Sequence, residues 1–236
     1  MVYNWLKNIQ AHLFRHTCVL CQGPGIGERD LCGSCLGDLP INDRPCRRCA
    51  IPLPPGADHD SLCGRCQRTP PAYHAAFAPF QYGPPLDHLL QGLKFHGKLQ
   101  FARLLGELMA EHLAQRTDPL PELIIPVPLH PSRLRERGFN QALELARFAA
   151  KRLGVPVDYR SGERIRATAA QSSLRRKERR ANVKGAFRVS APIAARHVAV
   201  VDDVITTGHT VDEMARILVK AGVERVEVWA CARAVK

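Results

Sequence analysis

Asp202 and Asp203 are the residues of this chain best placed to do chemistry, because they end the apolar run Val198-Ala199-Val200-Val201 and precede Val204-Ile205-Thr206-Thr207-Gly208-His209-Thr210. The run is short, β-branched and apolar on both faces, the pattern of a strand buried in a parallel sheet. In open α/β sheets the carboxyl ends of the strands form the edge where ligands bind. Thr206, Thr207 and Gly208 make a small, hydroxyl-rich turn. Thr210-x-x-Glu213 reads as a capping box that opens a helix with apolar positions Met214, Ile217, Leu218 and Ala221. Backbone amides and the positive end of that helix then face a site suited to the phosphate of a phosphorylated sugar. An acid pair alone is ordinary at a helix start. The whole run, strand to turn to helix, carries the inference.

The other reactive side chains are thiols. Eight of the nine cysteines fall in four C-x-x-C pairs, namely Cys18 and Cys21, Cys32 and Cys35, Cys46 and Cys49, Cys63 and Cys66. A short turn between two cysteines aims both sulfurs at one point, and two such knuckles close a tetrahedral thiolate cage around zinc. Gaps of ten residues (22 to 31) and thirteen (50 to 62) suit two successive ribbons. The expected pairing is Cys18, Cys21, Cys32 and Cys35 around one structural zinc ion, and Cys46, Cys49, Cys63 and Cys66 around a second. A crossed pairing satisfies the same spacing. Disulfides are the competing reading, but the sequence carries no secretion signal, and a reducing cytosol favours metal. His59, between Asp58 and Asp60, is expected to be a solvated loop residue, and Cys231 a small apolar residue in a core strand. Gly23-Pro24-Gly25-Ile26-Gly27 lies between knuckles with no strand before it and no helix after it. It reads as the turn of the first ribbon, not as a nucleotide loop.

These sites need a scaffold. With 236 residues, 45% of them apolar, the chain can bury one sizeable core and carry a small accessory module. Residues 1–15 read as an amphipathic helix, with Val2, Trp5, Leu6, Ile9 and Leu13 on one face, docked on the main domain or on a partner. The double ribbon is expected over 16–70, and the composition breaks at Thr69-Pro70-Pro71. From 72 to 236 the pattern alternates. Tyr73 to Tyr82 is strand-like, Pro85 to His112 is helical with an interruption at Phe95-His96-Gly97, and Leu123 to Val127 is a buried strand. Asn140 to Leu153 is a helix stopped by Gly154, and Val198 to Ala232 is a final strand-helix-strand. Such alternation predicts an α/β fold with a mainly parallel sheet. No apolar run approaches the ~20 residues that span a bilayer.

Between Arg133 and Arg188 there are sixteen Lys or Arg residues against five Asp or Glu, a balance of +11 in a chain whose net charge is +12. Arg133, Arg135 and Arg137 follow the strand at Leu123. Arg175, Arg176, Lys177, Arg179 and Arg180 form a second cluster. This density attracts a polyanion, either a pyrophosphate or a nucleic-acid backbone, although charge runs are also common as solvated faces.

The run from Val198 to Thr210 resembles the binding motif of type I phosphoribosyltransferases: four apolar residues, two acids, two more apolar residues, then Thr-Thr-Gly-x-Thr. The resemblance implies that Asp202 and Asp203 are the catalytic acids and accept hydrogen bonds from the ribose 2′- and 3′-hydroxyls of phosphoribosyl pyrophosphate. It implies that Thr206, Thr207, Gly208, His209 and Thr210 cradle the 5′-phosphate. Position 209 is usually small in such loops, so His209 points outward or narrows the pocket.

A longer pattern is similar to the ComF/GntX family of competence-associated proteins. It comprises Ile125-Pro126-Val127-Pro128-Leu129-His130, Arg133, Arg137-Gly138-Phe139-Asn140-Gln141, Gln171-x-x-Leu174, Arg179, Asn182 and Gly185-Ala186-Phe187, together with the paired cysteines. The fold it implies is a type I phosphoribosyltransferase-like parallel sheet with helices, preceded by a small N-terminal double zinc ribbon. Val127 to Gly138 would grip the pyrophosphate, with His130, Arg133 and Arg137 as candidates. Gln171 to Phe187 would close over the site. Magnesium would bridge pyrophosphate and ribose hydroxyls rather than sit in an all-protein cage, and any chemistry would displace pyrophosphate from the anomeric carbon.

The family further implies a cytoplasmic protein of natural transformation or external-DNA use that acts on imported single-stranded DNA, with the second basic cluster on its phosphates. Two other classes of function fit the same residues. One is a true phosphoribosyltransferase of nucleotide salvage. The other is a zinc-dependent adaptor that recruits the DNA import or recombination machinery without small-molecule chemistry. Aromatic residues make up only 6% of the chain and few interleave with the basic clusters, which argues against an autonomous single-strand stacking platform.

Overall fold

The computed structural model describes residues 16–58, 60–167 and 183–235. Within the cysteine-rich part run two short helices, α1 (Gly33–Gly37) and α2 (Gly64–Arg68). Next come β1 (Ala75–Phe77), β2 (Phe80–Gln81), α3 (Leu86–His96), α4 (Gln100–Ala114) and β3 (Leu123–Pro126). They are followed by α5 (Pro131–Arg137), α6 (Gln141–Leu153), β4 (Gly162–Arg164) and β5 (Phe187–Val189). The last unit is β6 (His197–Ile205), α7 (His209–Lys220) and β7 (Arg225–Arg233). The expected N-terminal helix, the basic cluster Arg175 to Arg180 and His59 lie outside the described residues.

The main sheet runs in the order β1-β7-β6-β3, β2 also pairs with β7, and every pairing is parallel. Its centre is buried on both faces, and the period of two along each strand decides which face a residue serves. Ala199, Val201, Trp229 and Cys231 pack with Leu93, Leu105 and Leu145 from α3, α4 and α6. Their neighbours Val198, Val200, Val226 and Val228 pack with Met214 and Leu218 of α7. Each fully buried aliphatic side chain contributes about 1.5–3 kcal/mol through burial alone. The helices end where the chain chemistry dictates. Asn140 caps α6 by accepting from the Ala142 amide at 3.0 Å, and Gly154 stops that helix in a left-handed conformation. At Gly106 of α4 a Cβ would come within 2.8 Å of the Leu145 carbonyl oxygen, so glycine sets how closely α4 approaches α6.

Two expectations need revision. Thr210 does not cap α7: the helix begins at His209, its N-cap is Gly208 at φ 80°, and no side chain caps it. Glu213, expected to reach back to the helix start, instead accepts from the Gly185 amide at 2.7 Å. The second concerns Gly162–Arg164 and Phe187–Val189, which form a separate antiparallel pair that the sequence pattern had not signalled.

The cysteine-rich part packs into the sheet domain. Leu31 and Leu39 are buried in the same apolar cluster as Phe80, Leu86 and Leu89. Asn42 donates from Nδ2 to the Ala50 and Ala78 carbonyls at 2.9 and 3.0 Å, and Arg29 pairs with Glu111 of α4.

Near the amino-terminal edge of the sheet Glu227 is almost wholly buried. Arg116 grips it at 2.6 and 3.0 Å, Arg225 lies at 3.1 Å, His197 at 3.2 Å and Trp229 Nε1 donates to it at 3.3 Å. Burial pushes the Glu227 carboxyl upward, but the Arg116 bonds and charge outweigh it and hold the carboxyl below its ordinary 4.5. A depressed folded value contributes stability above the unfolded pKa, and that contribution fades as pH falls through the folded value. Glu227→Ala leaves the largely buried Arg116 with only the exposed Asp118, 3.8 Å away, as its anion. Urea unfolding at pH 7 is expected to show a loss of about 3–5 kcal/mol, and the difference from the wild type is expected to shrink below pH 4.5.

Candidate functional site

Strand β6 carries both acids to the carboxyl edge of the sheet. Asp203 is 4% exposed, and its carboxylate meets Lys94 Nζ of α3 at 3.0 Å. The Asp203 amide donates to Asp202 Oδ1 at 2.9 Å, which fixes the two carboxyls side by side. Burial and the neighbouring Asp203 charge push Asp202 up to about 8. Burial also works against ionised Asp203, yet the Lys94 ammonium overcomes it and holds this carboxyl below its ordinary value. Lys94 is raised in turn by Asp203. Of the two, Asp203 is the carboxyl held ionised and Asp202 the one more readily protonated.

Two more cations feel this pair. Arg137, at the end of α5, has its pKa lowered by burial and partly restored by Asp203. Arg164 of β4 is lowered by burial and partly restored by Asp202, and its guanidinium packs 5.3 Å from the Phe187 ring centroid. Lys94 and Arg164 were not among the sequence candidates. A lysine in the last turn of a helix ordinarily signals only the helix dipole, and nothing in its spacing points to β6.

The Thr206 to Thr210 turn follows directly. Gly208 in its left-handed conformation turns the chain into α7, whose uncapped start points its positive end at the sheet edge. His209 is half-buried as the first residue of that helix. Thr207 is buried, and its Oγ1 has no hydrogen-bond partner among the described residues. The carbonyls of this turn are held from behind by Arg65 and Arg233.

The loop after β3 supplies the other candidates. His130 caps α5 by accepting from the Ser132 amide at 3.3 Å, Arg133 pairs with Glu136 at 2.9 Å, and Arg137 donates to Gln141. Asn140 ties the far end of the loop back to the Val127 carbonyl at 3.0 Å. A cavity of about 710 Å³ opens here, lined by His130, Phe139, Arg147, Tyr159, Arg160 and Arg164 among others. It lies beside the acid pair, which does not line it.

The sulfurs assemble as two sequential cages, Cys18, Cys21, Cys32, Cys35 and Cys46, Cys49, Cys63, Cys66, so the crossed pairing is excluded. A tetrahedral zinc site with Zn–S of about 2.3 Å needs sulfur-to-sulfur edges of about 3.8 Å. Cys21 and Cys32 lie 3.6 Å apart, Cys49 and Cys63 3.7 Å, and every sulfur is within 4.8 Å of the others in its set. The donors therefore fit zinc. Cys231 is fully buried in β7, as expected.

Two thiolate cages followed by a parallel sheet that ends in strand, two acids and a Thr-Thr-Gly turn define a double zinc ribbon joined to a phosphoribosyltransferase-like domain. Family models mark the same division: residues 9–67 match the double zinc ribbon domain and residues 140–234 the phosphoribosyl transferase domain. The DNA utilization protein YhgH of Salmonella typhi is 37% identical over 222 residues, covering 92% of this chain and 96% of that protein. Competence protein F of Haemophilus influenzae is 37% identical over 232 residues, covering 94% and 99%. Competence protein ComFC of Streptococcus pneumoniae is 26% identical over 156 residues, covering 66% and 67%. The chain belongs to the ComF/GntX family of competence and DNA-utilization proteins.

Elemental analysis of the purified protein is expected to give two zinc ions per chain, matching the two cages, and free thiols rather than disulfides after metal removal. A second expectation comes from Asp202. Its carboxyl is raised in the fold from 3.8 to about 8, so the folded state binds this proton more tightly than the unfolded chain. Its contribution to stability therefore falls as pH rises through that window. Asp202→Asn, which mimics the protonated acid, is expected to unfold at a higher urea concentration than the wild type at about pH 8 and to flatten the pH dependence between about pH 5 and pH 8.

Proposed function

We propose that this protein serves the uptake and use of external DNA, acting on imported single strands, and that its phosphoribosyltransferase-like domain binds phosphoribosyl pyrophosphate with magnesium. The observation that carries the second half is the acid pair at the sheet edge, Asp203 buried and Asp202 half-buried, with Lys94, Arg137 and Arg164 in its field and the Gly208 turn beside it. The names of the relatives at 37% identity support the first half.

Each residue has a role in this reading. Asp202 and Asp203 accept hydrogen bonds from the ribose 2′- and 3′-hydroxyls. Thr206 to Thr210 hold the 5′-phosphate at the start of α7, where backbone amides and the helix dipole favour an anion. His130, Arg133 and Arg137 meet the pyrophosphate, which requires Arg133 to leave Glu136, an exposed pairing of small worth. Magnesium bound with the ligand would neutralise pyrophosphate charge between the acids Asp202 and Asp203 and the basic His130, Arg133 and Arg137. Asp202 accepts more strongly as the carboxylate than as the acid that its raised pKa favours, so binding is expected to strengthen as pH rises. The basic segment Arg175, Arg176, Lys177, Arg179 and Arg180 supplies phosphate contacts to single-stranded DNA, with an affinity that falls steeply with salt.

Phosphoribosyl pyrophosphate with magnesium is expected to raise the thermal midpoint of the wild type, and Asp203→Asn to abolish that shift while leaving single-stranded DNA binding intact. No shift at millimolar ligand would remove the sugar-phosphate half of the proposal. Pyrophosphate release in the presence of one base from a panel would instead identify a salvage transferase. Normal transformation by a folded, DNA-binding Asp203→Asn protein would favour the adaptor.

A further inference from the structure

The second cysteine cage and the phosphate turn are 142 residues apart in sequence at their point of contact, yet two arginines tie them together. Arg65 stands inside the knuckle Cys63-Gly64-Arg65-Cys66, and its Nη1 donates to the Thr207 carbonyl at 3.0 Å. Arg233, at the end of β7 and 3% exposed, donates from Nε to the Cys49 carbonyl at 2.9 Å. Its Nη1 donates to the carbonyls of Ile205 at 2.8 Å, Ala234 at 2.7 Å, and Thr206. Three consecutive carbonyls, Ile205, Thr206 and Thr207, are thereby held by guanidinium groups that both halves of one cage position.

We infer that Arg65 and Arg233 are positioning residues through which the second zinc ribbon sets the conformation of the phosphate turn, so that metal occupancy of that ribbon and ligand binding at the turn are coupled. The inference rests on the sugar-phosphate reading for its ligand but not for its mechanical part. Arg65 is on the surface, and its backbone is placed only by a five-residue helix whose flanking and internal cysteines are cage donors. A helix this short has no stability of its own. Without metal, the origin of the Arg65 side chain is lost. Arg233 has the opposite problem. All four of its acceptors given above are backbone carbonyls, so a collapsed cage that withdraws Cys49 leaves a nearly buried cation one acceptor short. Ala50, next to Cys49 and fully buried, packs in the same apolar cluster as Tyr73 and Ile205, which fastens the knuckle to the turn by packing as well. The first cage is anchored elsewhere, to α4 through Arg29 with Glu111 and Asp30 with Arg103. Because coupling between two binding events is reciprocal, ligand at the turn must tighten metal in the second cage by the same factor.

Amide hydrogen exchange on the full chain separates this from a merely structural contact. Arg65→Ala removes a surface side chain and no metal ligand. The amides of 206–210 are expected to exchange about tenfold faster in it, the size of one hydrogen bond lost from a locally opening segment. Arg65→Lys, which keeps a donor, is expected to restore most of the protection. Cys66→Ser should match or exceed the effect, and Cys21→Ser in the first cage should leave 206–210 unchanged. Unaltered exchange of the turn in Arg65→Ala overturns the inference, even if Cys66→Ser proves too unstable to measure. In a second arm, zinc release to a chelator is timed with and without phosphoribosyl pyrophosphate and magnesium. Slower release in the wild type but not in Arg65→Ala supports the coupling. A ligand that binds but leaves release unchanged sinks it. Faster turn exchange in Arg65→Ala with no ligand binding at all leaves the mechanical coupling standing and removes the sugar-phosphate reading.

Discussion

A carboxylate cannot be taken out of water beside a second one and stay charged unless something answers it, and that requirement organises one whole edge of this molecule. The end of β6 buries Asp203, and a lone carboxylate there would be neutralised by protonation or would unfold the strand end. Lys94 answers Asp203 at 3.0 Å. Asp202, left with the weaker share of that cation, is shifted toward the acid. The upward shift of Asp202 and the charge on Asp203 are thus one arrangement, set by where α3 places Lys94. The same constraint explains why Arg137 and Arg164, from α5 and β4, approach from the other elements around the sheet edge.

The parallel sheet is what makes such an edge available. In β6 and β7 every residue of the middle is claimed by one of two apolar layers, so polar function is displaced to the strand ends. The two ends are handled differently. Near the amino-terminal end Glu227 sits among Arg116, Arg225 and His197 with its hydrogen bonds filled, a closed cluster that only stabilises. At the carboxyl end the positive charge is spread over three elements, and the two acids are shifted in opposite directions. A closed cluster and an open one, built from the same residue types, separate structure from binding.

Much of this was legible in the chain because the signals are local. The four cysteine knuckles announce themselves by spacing, the buried strand at Val198 by its branched run, and α6 by Asn140 before it and Gly154 after it. The partners that matter most were not legible. Lys94 and Asp203 are 109 residues apart, Arg116 and Glu227 111, and only the topology brings them together. Strands β4 and β5, of three residues each, are too short to express an alternation. At α7 the capping-box pattern gave way to backbone geometry. The positive φ of Gly208 starts the helix beside the glycine, which moves Thr210 inside and frees Glu213 to hold Gly185.

The shared burial of Leu31 and Leu39 with Phe80 and Leu86 decides whether the cysteine-rich segment is a separable part. A ribbon that merely sat beside a sheet domain would be a detachable part, free to be traded for another or dropped. Here the cysteine-rich segment supplies side chains to the sheet's own interior, and a deletion would expose an apolar face where those leucines had been. The sheet's interior is thus completed by the cysteine-rich segment, and the seam between the two is a piece of common core.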